Sequence, residues 1–133
     1  MTRAGIHAGA RRPILIIEDE PSVTAFLRAV LQRHGYLAVP AASGAEGLRL
    51  LADGNYLGVI SDIRMPGGAN GADVHAWIRS HQPELSSRLI LITGDTANRE
   101  TFELLERSGT PCVEKPFRAH ELIAVVEKVL GKP

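Results

Sequence analysis

Four aliphatic residues in a row, Ile14-Leu15-Ile16-Ile17, give way without transition to three acids, Glu18-Asp19-Glu20. An apolar run that is continuous rather than alternating suits a strand covered on both faces, and such strands belong to parallel sheets with helices on either side. Short apolar runs recur along the chain and alternate with longer stretches of helical period, the pattern of strands joined by crossover helices. The fold class expected is α/β. Strands are expected at 14–17, about 36–40, 57–61, 88–92 and 112–114, with five helices between and after them.

The first helix starts at Pro21 and repeats Val23, Phe26, Leu27, Val30 and Leu31 at steps of three and four until Gly35 stops it. A second opens on Ser43-Gly44-Ala45-Glu46, a serine and glutamate spaced to satisfy exposed helix-start donors, and runs to about Asp53. The stretch from Met65 to Gly71 is too rich in turn formers to continue either period and reads as a loop. A third helix buries Val74, Trp77 and Ile78 and is closed by Pro83. A weaker fourth passes through Phe102 and Leu105. The last sets Leu122, Val125, Val126, Val129 and Leu130 on one face.

A chain of 133 residues implies one domain, expected over 13–131, behind an Ala, Gly and Arg-rich tail at 1–12 that reads as disordered. Fifteen Lys and Arg balance fifteen Asp and Glu, so no global positive field favours a phosphate backbone or an anionic membrane. No aliphatic run approaches the roughly 20 residues that a spanning helix needs, and the first residues lack the apolar segment of a secretory signal. The cytoplasm is the expected address. The lone cysteine, Cys112, forms no internal disulfide and no cysteine-based zinc site, so any metal is expected on oxygen or imidazole ligands. The five histidines, His7, His34, His75, His81 and His120, show no metal spacing and read as surface residues.

Open parallel sheets carry function on the loops beyond the carboxyl ends of their strands. The unusual polar residues of this chain stand at those ends: Glu18 and Asp19 after the first strand, Asp62 after the third, Thr93 after the fourth and Lys115 after the fifth. Three carboxylates brought together repel unless a cation neutralises them, and an oxygen-only donor set fits Mg²⁺.

In order and spacing, Ile16-Ile17-Glu18-Asp19-Glu20-Pro21, Ser61-Asp62-Ile63-Arg64-Met65-Pro66, Ile92-Thr93-Gly94 and Glu114-Lys115-Pro116-Phe117 resemble the receiver domains of bacterial two-component response regulators. In motif detail they are most similar to receivers attached to hybrid histidine kinases. The resemblance implies a doubly wound, flavodoxin-like sheet of five parallel strands in the order 2-1-3-4-5, flanked by five helices. It implies that Asp62 takes a phosphoryl group from a kinase phosphohistidine, and that the resulting acyl phosphate hydrolyses slowly. Asp19 would bind Mg²⁺ directly and Glu18 through a water, with Asp62 and the backbone carbonyl of Arg64 completing the protein's share. Lys115 would pair first with Asp62 and then with a phosphoryl oxygen, its ammonium aimed inward by a cis bond before Pro116. Thr93 would donate to a phosphoryl oxygen as the switch, and Gly94 would leave its N–H and the entrance open.

Cys112 stands where many receivers have Tyr or Phe, so no large ring exchanges between buried and exposed positions, and output would run through backbone and loop shifts. Arg64 and Asp95, each two beyond a motif residue, would tune access of water to the acyl phosphate, an exposed pair worth about 0 to 1 kcal/mol. The implied partners are a sensor histidine kinase or a histidine phosphotransfer protein, with no direct nucleic acid and no membrane. A homodimer through the fourth helix, fifth strand and last helix is the expected self-association. Alternatives are a phosphorylation-independent adaptor, a receiver cut from a hybrid kinase, and a small-phosphoester phosphatase; the last usually needs an acid where Arg64 stands.

Overall fold

The computed structural model describes residues 12–65, 68–94 and 98–133. The expected tail, apart from Arg12, and the residues Pro66, Gly67 and Asp95 lie outside the described residues. Five parallel strands, β1 (Ile14–Ile17), β2 (Ala38–Ala41), β3 (Gly58–Asp62), β4 (Leu89–Thr93) and β5 (Cys112–Glu114), lie in the order β2-β1-β3-β4-β5. This is the order that the resemblance implied. The α-helices are α1 (Pro21–Arg33), α2 (Gly44–Asp53), α3 (Gly71–His81), α4 (Arg99–Ser108) and α5 (Ala119–Leu130).

Among the described residues the expectation of five helices is corrected to six, because a 3₁₀ helix at Pro83–Arg88 follows α3. Pro83 ends α3 but also occupies the first helical position of this segment, where its fixed φ and missing N–H are tolerated. Leu85 is buried and fastens the turn to the sheet. A six-residue segment with one anchored apolar side chain has no amphipathic period to announce it.

Continuous apolar strands have a simple cause here: alternate residues feed two separate cores. Ile14, Ile16, Ile60, Ile90 and Ile92 face α1 and α5, packing with Leu27, Val30, Leu31, Leu122 and Val126. Leu15, Ile17, Val59, Leu89 and Leu91 face the other way, onto Leu51, Val74, Ile78 and Leu104. Each such side chain contributes about 1.5–3 kcal/mol by leaving water. Phe26, expected in the buried stripe of α1, is 38% exposed and tilts against Phe117 at 5.9 Å instead. Trp77 is half-buried against the second core and stacks on His81 with ring centroids 4.5 Å apart. Among the described residues no helix is long and apolar enough to cross a membrane.

Capping fixes where the helices begin, and so where the strand-end loops stop. Ser43 Oγ accepts from Glu46 N as the spacing implied, while Glu46 Oε1 accepts from Ala42 N. Asn70 accepts from the N–H groups of Ala72 and Asp73, and Asp73 accepts from Asn70 N in return. Gly71 follows with its N–H donating to Ile63 O at 2.8 Å, and a Cβ there would sit 2.7 Å from Ile63 Cα. Glycine is what lets the loop after Asp62 fold back onto the strand end.

Candidate phosphoacceptor site

The carboxyl ends of β1, β3 and β5 bring four charged side chains to one rim. Asp62 closes β3, paired in register with Ile92 of β4, and is 5% exposed. Its Oδ2 accepts from Lys115 Nζ at 2.9 Å, and its Oδ1 accepts from the backbone N–H of Arg64 at 3.2 Å. Lys115 follows β5, its own N–H donating to Thr93 O at 2.7 Å, and the Lys115–Pro116 peptide is cis. Nζ also lies 3.1 Å from Glu18 Oε1 and 3.2 Å from Glu20 Oε1. One ammonium therefore touches three carboxylates.

Charge within this group is unbalanced, and Glu18 registers it. The residue is 1% exposed; Oε2 accepts from Glu20 N at 3.0 Å, whereas Oε1, among the described residues, has only the ion pair with Lys115 and no aligned hydrogen bond. Burial first, then the Asp62 charge, raises the Glu18 carboxyl to about 7 against the opposing pull of Glu20 N–H and Lys115. Burial alone would lower the Lys115 ammonium, but hydrogen bonds and charges from Asp62 and Glu18 outweigh it and hold it above the usual lysine range. A buried carboxylate oxygen that has an ion pair but no aligned hydrogen bond, beside two further acids, fits a hard cation. Glu18, Glu20 and Asp62 offer oxygens within 4.8 Å of one another.

Glu18 carries a stability consequence. Between its ordinary 4.5 and its folded value near 7, the folded chain holds more proton than the unfolded one. The metal-free protein accordingly loses stability as pH rises through that window. In chelator, the melting temperature of wild type relative to Glu18→Gln is expected to fall by roughly 5 °C from pH 5 to pH 8. His75, whose imidazole is lowered by burial, Arg79 and Arg107, changes both proteins alike. A difference that stays flat with pH contradicts the assignment.

Of the expected site residues, Glu18, Asp62 and Lys115 meet directly. Asp19 is partly exposed and lines, together with Glu18, a cleft of about 310 Å³ that also includes Thr24, Arg28 and Pro40. Glu20, the third member of the acid run and not among the expected site residues, also stands in this cluster. Thr93 is buried at the end of β4. Gly94 is exposed, and a Cβ there would meet only Lys115 Cδ at 3.9 Å, so the rim beside the lysine is open. Arg64 is exposed, and its expected pairing with Asp95 lies outside the described residues.

Cys112 is half-buried at the start of β5, and its thiol is pushed up to about 11 by burial and then by Glu114. At pH 8 it should react with iodoacetamide at least about tenfold more slowly in the native than in the unfolded chain. Equal rates would show a reactive thiol. His34, His81 and His120 are exposed and His75 is half-buried; none of these joins the acids.

The family model described as the response regulator receiver domain matches residues 14–127. The uncharacterized transcriptional regulatory protein YkoG of Bacillus subtilis is 31% identical over 117 residues, 88% of this chain and 50% of its own length. The chain thus spans about half the length of the curated relatives it matches. Response regulator TrrA from Thermotoga maritima, solved in complex with Mg²⁺-BeF, is 34% identical with a TM-score of 0.77, covering 90% of this chain and 99% of that one. The receiver domain of a signal transduction histidine kinase from Syntrophus aciditrophicus is 27% identical with a TM-score of 0.78, covering 90% and 89%. With its strand order, its acid rim and a family match over most of its length, this chain belongs to the response regulator receiver domain family, the phosphoacceptor domains of two-component signalling systems.

Proposed function

We propose that residues 13–131 form a receiver unit in which Asp62 is the phosphoacceptor, and the observation that carries this is the Asp62 carboxylate held between Lys115 Nζ and Arg64 N. An Asp62 oxygen attacks the phosphorus of a phosphohistidine on a histidine kinase or phosphotransfer protein. The P–N bond breaks, its electron pair stays on the imidazole nitrogen, and an acyl phosphate forms. A carboxylate is a weak nucleophile and its target is negative, so positioning and charge neutralisation supply most of the rate.

Glu18 and Asp62 would hold Mg²⁺, joined by Asp19 and the Arg64 carbonyl. When bound, the ion neutralises phosphoryl oxygens. Lys115 leaves Asp62 Oδ2 for a phosphoryl oxygen as a compact point charge. Thr93 supplies a hydroxyl donor from the end of β4, and Gly94 leaves room for the donor histidine. With Cys112 in place of a ring, output runs through shifts of backbone and loop, and through contact or phosphorelay. The face of α4, β5 and α5 is the surface for self-association.

Incubation with acetyl phosphate and Mg²⁺ tests the reading. The expected product carries one phosphoryl group per chain, labile to hydroxylamine and mapped to Asp62. No adduct supports the adaptor; steady release of phosphate from added phosphoesters supports the phosphatase.

A further inference from the structure

Three carboxylates and one ammonium share one space, and the ammonium sits on oxygens that a metal ion would also use. Lys115 Nζ is 2.9 Å from Asp62 Oδ2, 3.1 Å from Glu18 Oε1 and 3.2 Å from Glu20 Oε1. Mg²⁺ requires oxygens at about 2.0–2.1 Å, so an ion drawn to Glu18 and Asp62 claims the ground that the ammonium holds. Two cations that close repel, and the more mobile one must yield. Lysine has four rotatable bonds and only 18% side-chain exposure, so it shifts by pivoting toward the rim.

The three carboxylates differ in where they stand. Side chains of Glu18 and Asp62 are 0% and 7% exposed, whereas that of Glu20 is 59% exposed. The backbone of Glu20 is fixed twice: its N–H donates to Glu18 Oε2, and its C=O accepts from Val23 N and Thr24 N at the start of α1. Its carboxylate thus projects from a rigid base at the outer edge of the cluster, already within reach of the ammonium. We propose that Glu20 is a positioning residue, the seat on which the Lys115 ammonium rests when a divalent cation occupies Glu18 and Asp62. Resting there, the lysine stays beside the rim and re-enters to meet a phosphoryl oxygen without being ordered afresh from solvent.

This inference rests on the phosphoacceptor reading, and its test separates the two. The probe is Mg²⁺ added to the full ¹⁵N-labelled chain at low temperature, with the Lys115 ammonium signal assigned by its loss in Lys115→Met. Wild type is expected to keep a slowly exchanging ammonium signal with and without Mg²⁺, at different shifts. Glu20→Gln keeps it without Mg²⁺, where Glu18 and Asp62 suffice, and loses it when Mg²⁺ is added. Glu20→Asp retains the charge but is one methylene shorter, and it loses the signal too.

Phosphorylation from acetyl phosphate slows by about three- to fivefold in both variants, the scale of one exposed ion pair. Survival of the signal in Mg²⁺-loaded Glu20→Gln, wild-type behaviour of Glu20→Asp, or loss of the signal in Mg²⁺-loaded wild type each overturns the seat. Amide shifts at Glu18 and Asp62 report ion binding in the same spectra. If they move and the seat fails, the phosphoacceptor reading stands; if wild type binds no ion, that reading falls and the seat with it.

Discussion

Asp62→Asn abolishes incorporation of a phosphoryl group from acetyl phosphate, by at least about 10³-fold, while leaving the fold intact. The amide preserves the shape at the end of β3 and its one oxygen can still accept from either Arg64 N or Lys115, but it has no anionic oxygen to attack phosphorus. Stability should not fall with activity. The Asp62 charge is among the causes that raise the Glu18 carboxyl, so removing it relieves repulsion inside the rim. In chelator at pH 8 the variant is expected to melt no lower than wild type. An Asp62→Asn protein that still takes up a hydroxylamine-labile group would move the acceptor elsewhere; one that no longer folds would make Asp62 structural.

Lys115→Met is expected to split two properties that travel together in most damaged sites. Its ammonium is the one cation, among the described residues, that the structure places on Asp62 Oδ2, and losing a preorganised donor of this kind slows transfer by roughly 10²- to 10³-fold. Affinity for Mg²⁺ moves the other way. The ion no longer displaces an ammonium from Glu18 and Asp62, and the cluster gains one net negative charge, so titration should show tighter binding. Calorimetric ion titration beside a phosphorylation time course checks both. Weakening of both would point to collapse of the rim rather than loss of a charge.

The middle of the sheet was legible because β1, β3 and β4 are buried along their whole length: the unbroken run Ile14–Ile17 is what two cores demand of one strand. The ends of β1, β3 and β4 were legible for the same reason, since each apolar run stops at a polar residue that stands at the rim. The 3₁₀ helix was not, because Pro83 reads equally as a terminator and as a first helical residue. Phe26 fits a helical stripe by spacing, yet it lies at the edge where α1 turns from the core toward Phe117. At the site, position along the chain placed Glu18, Asp62 and Lys115, and the resemblance put Asp19 on the ion, whereas Glu20, which meets Lys115, had no signal of its own. Neighbouring residues at a strand-to-helix junction point different ways, and only the turn into Pro21 decides which one faces Lys115.

The most direct test of a phosphoryl-binding rim built on β1, β3, β4 and β5 is an amide NMR titration with beryllofluoride, a phosphoryl mimic, in the presence and absence of Mg²⁺. The expected result is saturable shifts at Asp62, Arg64, Thr93, Gly94 and Lys115 that require both reagents and vanish in Asp62→Asn. Shifts that ignore Mg²⁺ or persist without Asp62, or an unchanged spectrum of the folded wild type, would contradict the account.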